Sequence, residues 1–299
     1  MNEAMVASDT ITRTDFDRLL GDARPRLHRY AARMTGSVID GEDVVQNAIL
    51  KALEAFASNG PIRNPESWLI RITHNAAIDL LRQRGRHEAI KSNDDPDMVI
   101  DPVTAVMDRE VVAASIRTFM RLPVAQRSAV ILMDVLGYKL DEISAITDMT
   151  VGAIKAALRR GRSRLRELVG ETEETGSAPV CPDRLRIEAY IDRFNARDFD
   201  SIRDMLAEDV RLDLVNRLRA KGRNDVGEYL HRYSLSTDWH CALGFVESRP
   251  AIVVRDPADP VRLPVYFILL EWRESQVVAI RDFRFASYVI EGAELSLPA

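Results

Sequence analysis

The sequence predicts a multidomain protein, with two all-α blocks followed by an α+β domain. Three observations carry this. Apolar residues recur at three- and four-residue steps through most of the first 168 positions, which is the period of a helix with one buried face. Two acidic, proline-containing stretches interrupt that pattern: KSNDDPDMVIDPVT at 91–104 and ETEETGSAPVCP at 171–182. Beyond Pro182 short helical repeats give way to alternating apolar runs separated by turn residues, the order of an α+β domain. The expected domains are 14–90, 105–170 and 183–299, with 91–104 and 171–182 as linkers.

In the first block, Leu19, Leu27, Tyr30, Ala31 and Met34 supply one amphipathic helix or a pair, ending near Gly36. A second helix runs from about Gly41 to Phe56, with Val45, Ala48, Ile49, Ala52, Leu53 and Phe56 on its apolar face. Asp40, Glu42 and Asp43 are read as its first turn, where the helix dipole favours negative charge. Asn59-Gly60-Pro61 is a breaker, and Asn64-Pro65 opens a third helix. That helix turns Trp68, Leu69, Ile72, Ala76 and Leu80 inward. Arg71, Asn75, Asp79 and Arg82, at steps of four, four and three, share a separate polar face. Such a stripe is ordinarily solvated, but Arg and Asn are also side chains that read phosphates and bases.

In the second block, Leu122-Pro123 precedes a helix from Gln126 to Leu136. The stretch KLDEISAITDMTVGAIKAALRRGRSRLREL follows, from Lys139 to Leu168. Leu140, Ile143 and Ile146 mark a short helix, and Asp148-Met149-Thr150 interrupts it. Thr150 is placed to cap a second helix with its hydroxyl. Val151, Ile154, Leu158, Gly161, Leu165 and Leu168 form the buried stripe of that helix. Lys155, Arg159, Arg160, Arg162, Arg164 and Arg166 lie off the stripe. Short helix, tight turn and longer basic helix is the helix-turn-helix pattern, whose second helix enters the DNA major groove. A basic helix is by default a solvated face. Here six cations stand against one acid between Thr150 and Leu168, within a chain whose net charge is −5. A basic patch on an acidic protein calls for an anionic partner.

In the third block, Ile187, Tyr190, Ile191 and Phe194 give a helix, and Ile202, Met205 and Leu206 a shorter one. Asp209–Val215 alternates like a strand, and Val226–Tyr233 reads as a third helix. Cys241–Glu247, Ala251–Arg255, Val261–Trp272 and Gln276–Ser287 are expected as a run of antiparallel strands.

Residues 14–168 resemble an extracytoplasmic-function-type sigma factor of the sigma-70 superfamily. Thr35–Leu53 resembles region 2.1–2.2, Glu66–Arg82 region 2.3–2.4, and Leu122–Leu168 region 4. The resemblance implies that Asp43, Val44, Val45, Gln46 and Lys51 bind core RNA polymerase, with Asp43 to Gln46 matching the family's DLVQ element as DVVQ. It implies that Asn64, Trp68, Arg71, Asn75, Asp79 and Arg82 meet the −10 element, beside a loop from Ser58 to Pro65 that captures a flipped base. It further implies that Thr150, Val151, Gly152, Lys155, Ala156, Arg159 and Arg160 read the −35 element. Ala153 and Ala156 stand where the family often carries Thr and Ser. Residues 183–299 resemble SnoaL-like domains, a cone fold with a curved sheet around helices, and Tyr190–Val215 is the best match. Some sigma factors of this type carry such an extension, which modulates their activity.

The implied partners are core RNA polymerase (clamp and flap regions), promoter DNA and a small ligand of the C-terminal domain. The candidate pocket residues of that domain are Tyr190, Tyr229, Asp238, Trp239 and His240, which read more readily as core aromatics and strand decoration than as a catalytic set. His28, His74 and His87 are expected to be solvated or to face nucleic acid. The five histidines lack metal spacing, and no metal, cofactor or catalytic residue is expected. Cys181 and Cys241 offer no disulfide framework, no apolar run approaches the roughly 20 residues of a membrane span, and the N-terminus lacks a signal pattern. A cytoplasmic, non-enzymatic initiation factor is the expectation. The alternatives are a helix-turn-helix regulator with a ligand-binding C-terminal domain and a DNA-binding module fused to an enzyme.

Overall fold

The computed structural model describes residues 13–58, 64–85, 115–169, 183–237, 239–258 and 264–297. The expected linkers, most of the flipped-base loop, Asp238, Cys181 and His87 lie outside the described residues. The chain forms two compact units that divide between Glu173 and Glu174.

The first unit is helical: α1 Arg13–Thr35, α2 Val38–Ser58, α3 Pro65–Gly85, α4 Ile116–Met120, α5 Val124–Val130, α6 Leu140–Thr147 and α7 Val151–Val169. α5 continues into a π-helical turn, Ile131–Val135. α1 is a single helix that accommodates Pro25. It ends at Gly36, whose φ of +80° is a conformation only glycine adopts freely. Gly41 serves another purpose. A Cβ there would lie 2.7 Å from the backbone nitrogen of Ala32, so its bare Cα lets α2 cross α1 closely. The Phe16 and Phe56 rings stack at 4.1 Å across this pair.

Both helical blocks share one hydrophobic core. Phe16, Tyr30, Met34, Leu69 and Ile70 from α1 and α3 belong to the same cluster as Phe119, Leu122, Ile131, Ile143 and Leu158. Gly161 brings α7 against α5, since a Cβ there would stand 2.8 Å from Val130 Cγ2.

The second unit contains α8 Arg184–Asn195, α9 Phe199–Asp204, β1 Leu206–Leu214, β2 Leu218–Lys221, α10 Arg223–Ser234, β3 His240–Val246, β4 Arg249–Arg255, β5 Tyr266–Arg273, β6 Gln276–Asp282 and β7 Leu295–Ser296. The strands form one sheet in the order β2-β1-β6-β5-β4-β3-β7. α8 packs on β3 and β4, whereas α10 packs on β1 and β2, so helices contact both ends of the sheet.

Several expectations are corrected here. The expected run β3 to β6 does pair antiparallel, but the sheet as a whole is mixed, because β1 runs parallel to β6. Alternation reveals that a segment is a strand but not which neighbour it chooses. β2 was not anticipated. It is only four residues long and largely exposed, so it lacks an apolar signature. Leu206 opens β1 instead of closing α9. β6 stops at Asp282, and the following segment contains a 3-10 turn, Ser287–Gly292. The β3–β4 hairpin turns through Glu247 and Ser248, both at positive φ. This pair is far less recognisable than the Asn-Gly usual in such turns.

Candidate functional sites

The helix-turn-helix is built as its spacing predicts. Thr150 Oγ1 accepts from the Ala153 amide at 3.2 Å, capping α7. Ile154, Leu158, Gly161, Leu165 and Leu168 are buried, and Ala157 joins them. Thr150, Gly152, Lys155, Arg159 and Arg160 are exposed, with Val151 and Ala156 half-buried beside them. The turn carries no glycine. Its left-handed position is occupied by Asp148 at φ 59°, and Asp is among the few residues that tolerate that conformation. At the start of α6 the Lys139 amide donates to Glu142 Oε2 at 2.8 Å.

The basic arc is smaller than composition implies. Arg162 turns inward, and its Nη2 and Nε donate to Asp134 Oδ1 and Oδ2 at 2.5 and 2.9 Å. Arg164 pairs with Glu167 at 2.8 Å. The outward cations nearest the α7 N-terminus, where a major-groove helix presents its reading residues, are Lys155, Arg159 and Arg160.

On α3, Asn64 Oδ1 accepts from the Ser67 amide at 3.1 Å and starts the helix. Arg71, Asn75, Asp79 and Arg82 are all exposed on one face. Trp68 is half-buried, with its ring 6.2 Å from that of Phe16. Lys51 Nζ on α2 lies 3.8 Å from Asp79 Oδ2, which brings together one expected polymerase contact and one expected DNA contact.

Of the DVVQ residues on α2, Asp43 is exposed and Gln46 half-buried, but Val44 and Val45 are 3% and 0% exposed. Those two valines pack the core, and any outward role on this helix falls to Asp43, Gln46 and Lys51. Glu42 is a second correction. Because α2 begins at Val38, Glu42 lies past its first turn, where only Asp40 remains. It is fully buried, and Arg24 Nη1 donates to its Oε1 at 2.7 Å.

The histidine expectation also changes. His28 and His74 are 3% and 8% exposed. His28 Nε2 lies 2.9 Å from the Val38 carbonyl, and His74 Nδ1 lies 2.6 Å from Tyr30 Oη. Burial lowers the His74 pKa to about 4, opposed by the charge of Asp148. The same burial raises the Tyr30 hydroxyl well above its ordinary range.

In the second unit the polar centre is one that the sequence reading missed. Asp282 is fully buried at the end of β6. Its Oδ2 accepts from Tyr233 Oη at 2.6 Å and Tyr229 Oη at 2.8 Å, and its Oδ1 accepts from the Arg284 amide at 2.8 Å. Tyr266 Oη lies 3.2 Å from Tyr233 Oη, and the Arg284 guanidinium sits 4.9 Å above the Tyr233 ring. Burial pushes the Asp282 carboxyl upward, against the lowering effect of its hydrogen bonds from Tyr233, the Arg284 amide and Tyr229. A signal existed in the sequence, because Asp282 follows Ile280 at strand period on the buried side of β6.

Of the expected pocket set, Tyr229 belongs to this centre, and Tyr190 and Trp239 are buried in an aromatic cluster around Phe194. Their rings lie 5.8 and 4.9 Å from that of Phe194. His240 is exposed and takes no part, while Asp238 lies outside the described residues. Among the described residues no group of His, Cys, Asp and Glu could hold a metal ion. No helix among them is long and apolar enough to cross a membrane.

Two family models match the helical part of the chain. The Sigma-70 region 2 family matches residues 19–87, and the Sigma-70, region 4 family matches residues 116–165. The ECF RNA polymerase sigma factor SigM of Mycobacterium tuberculosis is 34% identical over 171 residues, covering 56% of this chain and 82% of that protein. The ECF RNA polymerase sigma factor SigG of the same species is 30% identical over 307 residues, covering 90% of this chain and 82% of that protein. The crystal structure of the M. tuberculosis extracytoplasmic function sigma factor SigJ aligns with 91% of this chain and 98% of its own, at 19% identity and a TM-score of 0.37.

Proposed function

The chain belongs to the ECF RNA polymerase sigma factor family, and from that premise we propose how its parts divide the work of promoter-specific initiation. A member of this family binds core RNA polymerase and directs it to promoter DNA. The chemistry of RNA synthesis belongs to the polymerase, and the sigma factor contributes recognition.

The −35 element is read by Thr150, Val151, Gly152, Lys155, Ala156, Arg159 and Arg160 on α7. The observation that carries this is the separation of its faces: Lys155, Arg159 and Arg160 point to solvent, and Ile154, Leu158 and Leu165 are fully buried. The −10 element is met by Asn64, Trp68, Arg71, Asn75, Asp79 and Arg82, supported by the exposed α3 face. The polymerase is engaged through Asp43, Gln46 and Lys51, the exposed and half-buried members of the set on α2. The second unit modulates this activity without catalysis of its own. Asp282 supports that reading, since it is fully buried and three internal donors take most of its acceptor sites, whereas a general base must come within hydrogen-bond reach of substrate.

Run-off transcription with core polymerase tests this. The full chain should co-purify with core and start transcripts at discrete promoters, mapped after overexpression. A protein that neither binds core nor directs specific starts is not acting as a sigma factor. Truncation after Gly176 should change output from the same promoters, and unchanged output across several of them would remove the modulating role.

A further inference from the structure

The second helix of the helix-turn-helix carries a glycine for which nothing inside the protein accounts. Gly152 is the second residue of α7. Its φ is not among the positive values that call for glycine, and a Cβ built on it would meet nothing within 4 Å. Gly41 and Gly161 differ, since a Cβ there would run into Ala32 at 2.7 Å and Val130 at 2.8 Å. Gly21 on α1 is equally open, but it stands four residues before Pro25, whose ring crowds the carbonyl at that position. Glycine weakens a helix relative to alanine. With neither backbone nor packing to explain it, Gly152 leaves room for a partner outside the chain.

By the helical period, Ala156 lies one turn beyond Gly152, on the side opposite the buried line of Ile154, Leu158 and Leu165. Lys155 and Arg159 flank the two on one side and Arg160 on the other, and all three are exposed. These cations donate hydrogen bonds and accept none. In the major groove their base partners are guanine O6 and N7. From Val151 to Arg160 there is no Asn, Gln, Asp or Glu, so this stretch offers no amide or carboxylate to the amino groups of adenine or cytosine. The Thr150 hydroxyl just before it already accepts from the Ala153 amide. Ala156 can contribute only its methyl, and the apolar group that a base edge presents in the major groove is the C5-methyl of thymine.

We propose that Ala156 selects thymine in the −35 element, its methyl packed on the C5-methyl of one thymine at the close approach that Gly152 permits. This rests on α7 being the −35 reader. Lys155, Arg159 and Arg160 then hold guanines and phosphates around that thymine, so the element is read through one apolar contact set among donors. A side chain in place of Gly152 would stand between the helix and the base pair, and the methyl pair would be held apart.

Deoxyuridine in place of thymine removes that methyl and keeps every hydrogen-bonding group. Each thymine on either strand of the −35 element of a bound promoter is replaced singly, and holoenzyme binding is measured by competition. One position should lose roughly three- to fivefold, the weight of one methyl group taken out of water. In holoenzyme carrying Ala156→Gly, thymine and deoxyuridine at that position should bind equally, and this ratio does not respond to a general loss of helix stability. Gly152→Ala adds a methyl in open space, so exchange of the α7 amides should be no faster than in the parent, while promoter binding should fall about fivefold or more. An element without thymine, no position sensitive to its methyl, or a sensitivity that survives Ala156→Gly overturns the proposal. So does a Gly152→Ala protein that binds as tightly as the parent. A loss in Gly152→Ala with no methyl effect places the sugar–phosphate backbone against Gly152 and overturns the thymine contact. The assignment of α7 is read separately. Lys155→Ala combined with Arg160→Ala should abolish specific starts in run-off transcription whether or not a methyl is read.

Discussion

Arg162 of the helix-turn-helix and Asp134 before it meet in a two-pronged ion pair, with 11% and 1% of their side chains exposed. The pair ties α7 to the π-helical turn that follows α5. Removing one partner leaves a buried charge without its counterpart, whereas replacing both by apolar groups can be nearly neutral. Asp134→Ala should therefore destabilise the α7 region by about 3 kcal/mol, and Asp134→Ala with Arg162→Met should recover part of it. Hydrogen exchange at the α7 amides checks this locally, which suits a chain of two units better than a single melting curve.

Lys155, Arg159 and Arg160 should act differently from Arg162. Alanine at a phosphate contact lowers the salt slope of promoter binding by about 1, and alanine at a base contact costs about 1–3 kcal/mol and relaxes sequence preference. Holoenzyme binding measured across a salt series on matched and mismatched −35 elements separates the two roles. Arg162→Ala should lose affinity without changing preference.

His74 makes the first unit sensitive to acid. Its folded pKa is about 4, below the ordinary 6.5. The unfolded chain thus binds the extra proton first as pH falls. The stabilisation is complete above pH 6.5 and is lost as pH drops towards 4. Between pH 7 and pH 5 the loss should be about 2 kcal/mol. Denaturation midpoints of the full chain and of His74→Phe at the two pH values check it, and the variant should show a smaller pH dependence.

Asp282 accepts three hydrogen bonds and donates none. Asparagine cannot reproduce this, because its amide nitrogen would face one of those donors. Asp282→Asn should destabilise the second unit by about 1–3 kcal/mol, and Tyr229→Phe, which removes a single donor, by less. Thermal unfolding followed by near-UV circular dichroism, to which the clustered tyrosines and Trp239 contribute, reads the loss. If the second unit modulates transcription, Asp282→Asn should shift promoter output in the same direction as truncation after Gly176.

The sequence by itself determined the helices of the first unit, the helix-turn-helix with its Thr150 cap, and the exposed stripe of Arg71, Asn75, Asp79 and Arg82. Each of these is written in local periodicity or in a single capping side chain, and neither needs a distant partner. It also carried the family, because residues 14–168 combine three motifs in one order. Only the tertiary structure decided which polar residues are spent inside. Glu42, Asp134, Arg162, His28, His74 and Asp282 look on paper like surface or ligand-facing groups, and they are withdrawn because a partner on another element meets them. Arg24 lies 18 residues from Glu42, and Tyr233 lies 49 from Asp282. The parallel pairing of β1 with β6 was hidden for the same reason. A side chain's period tells which face it occupies, but the element that covers that face is chosen by the packing of the whole unit.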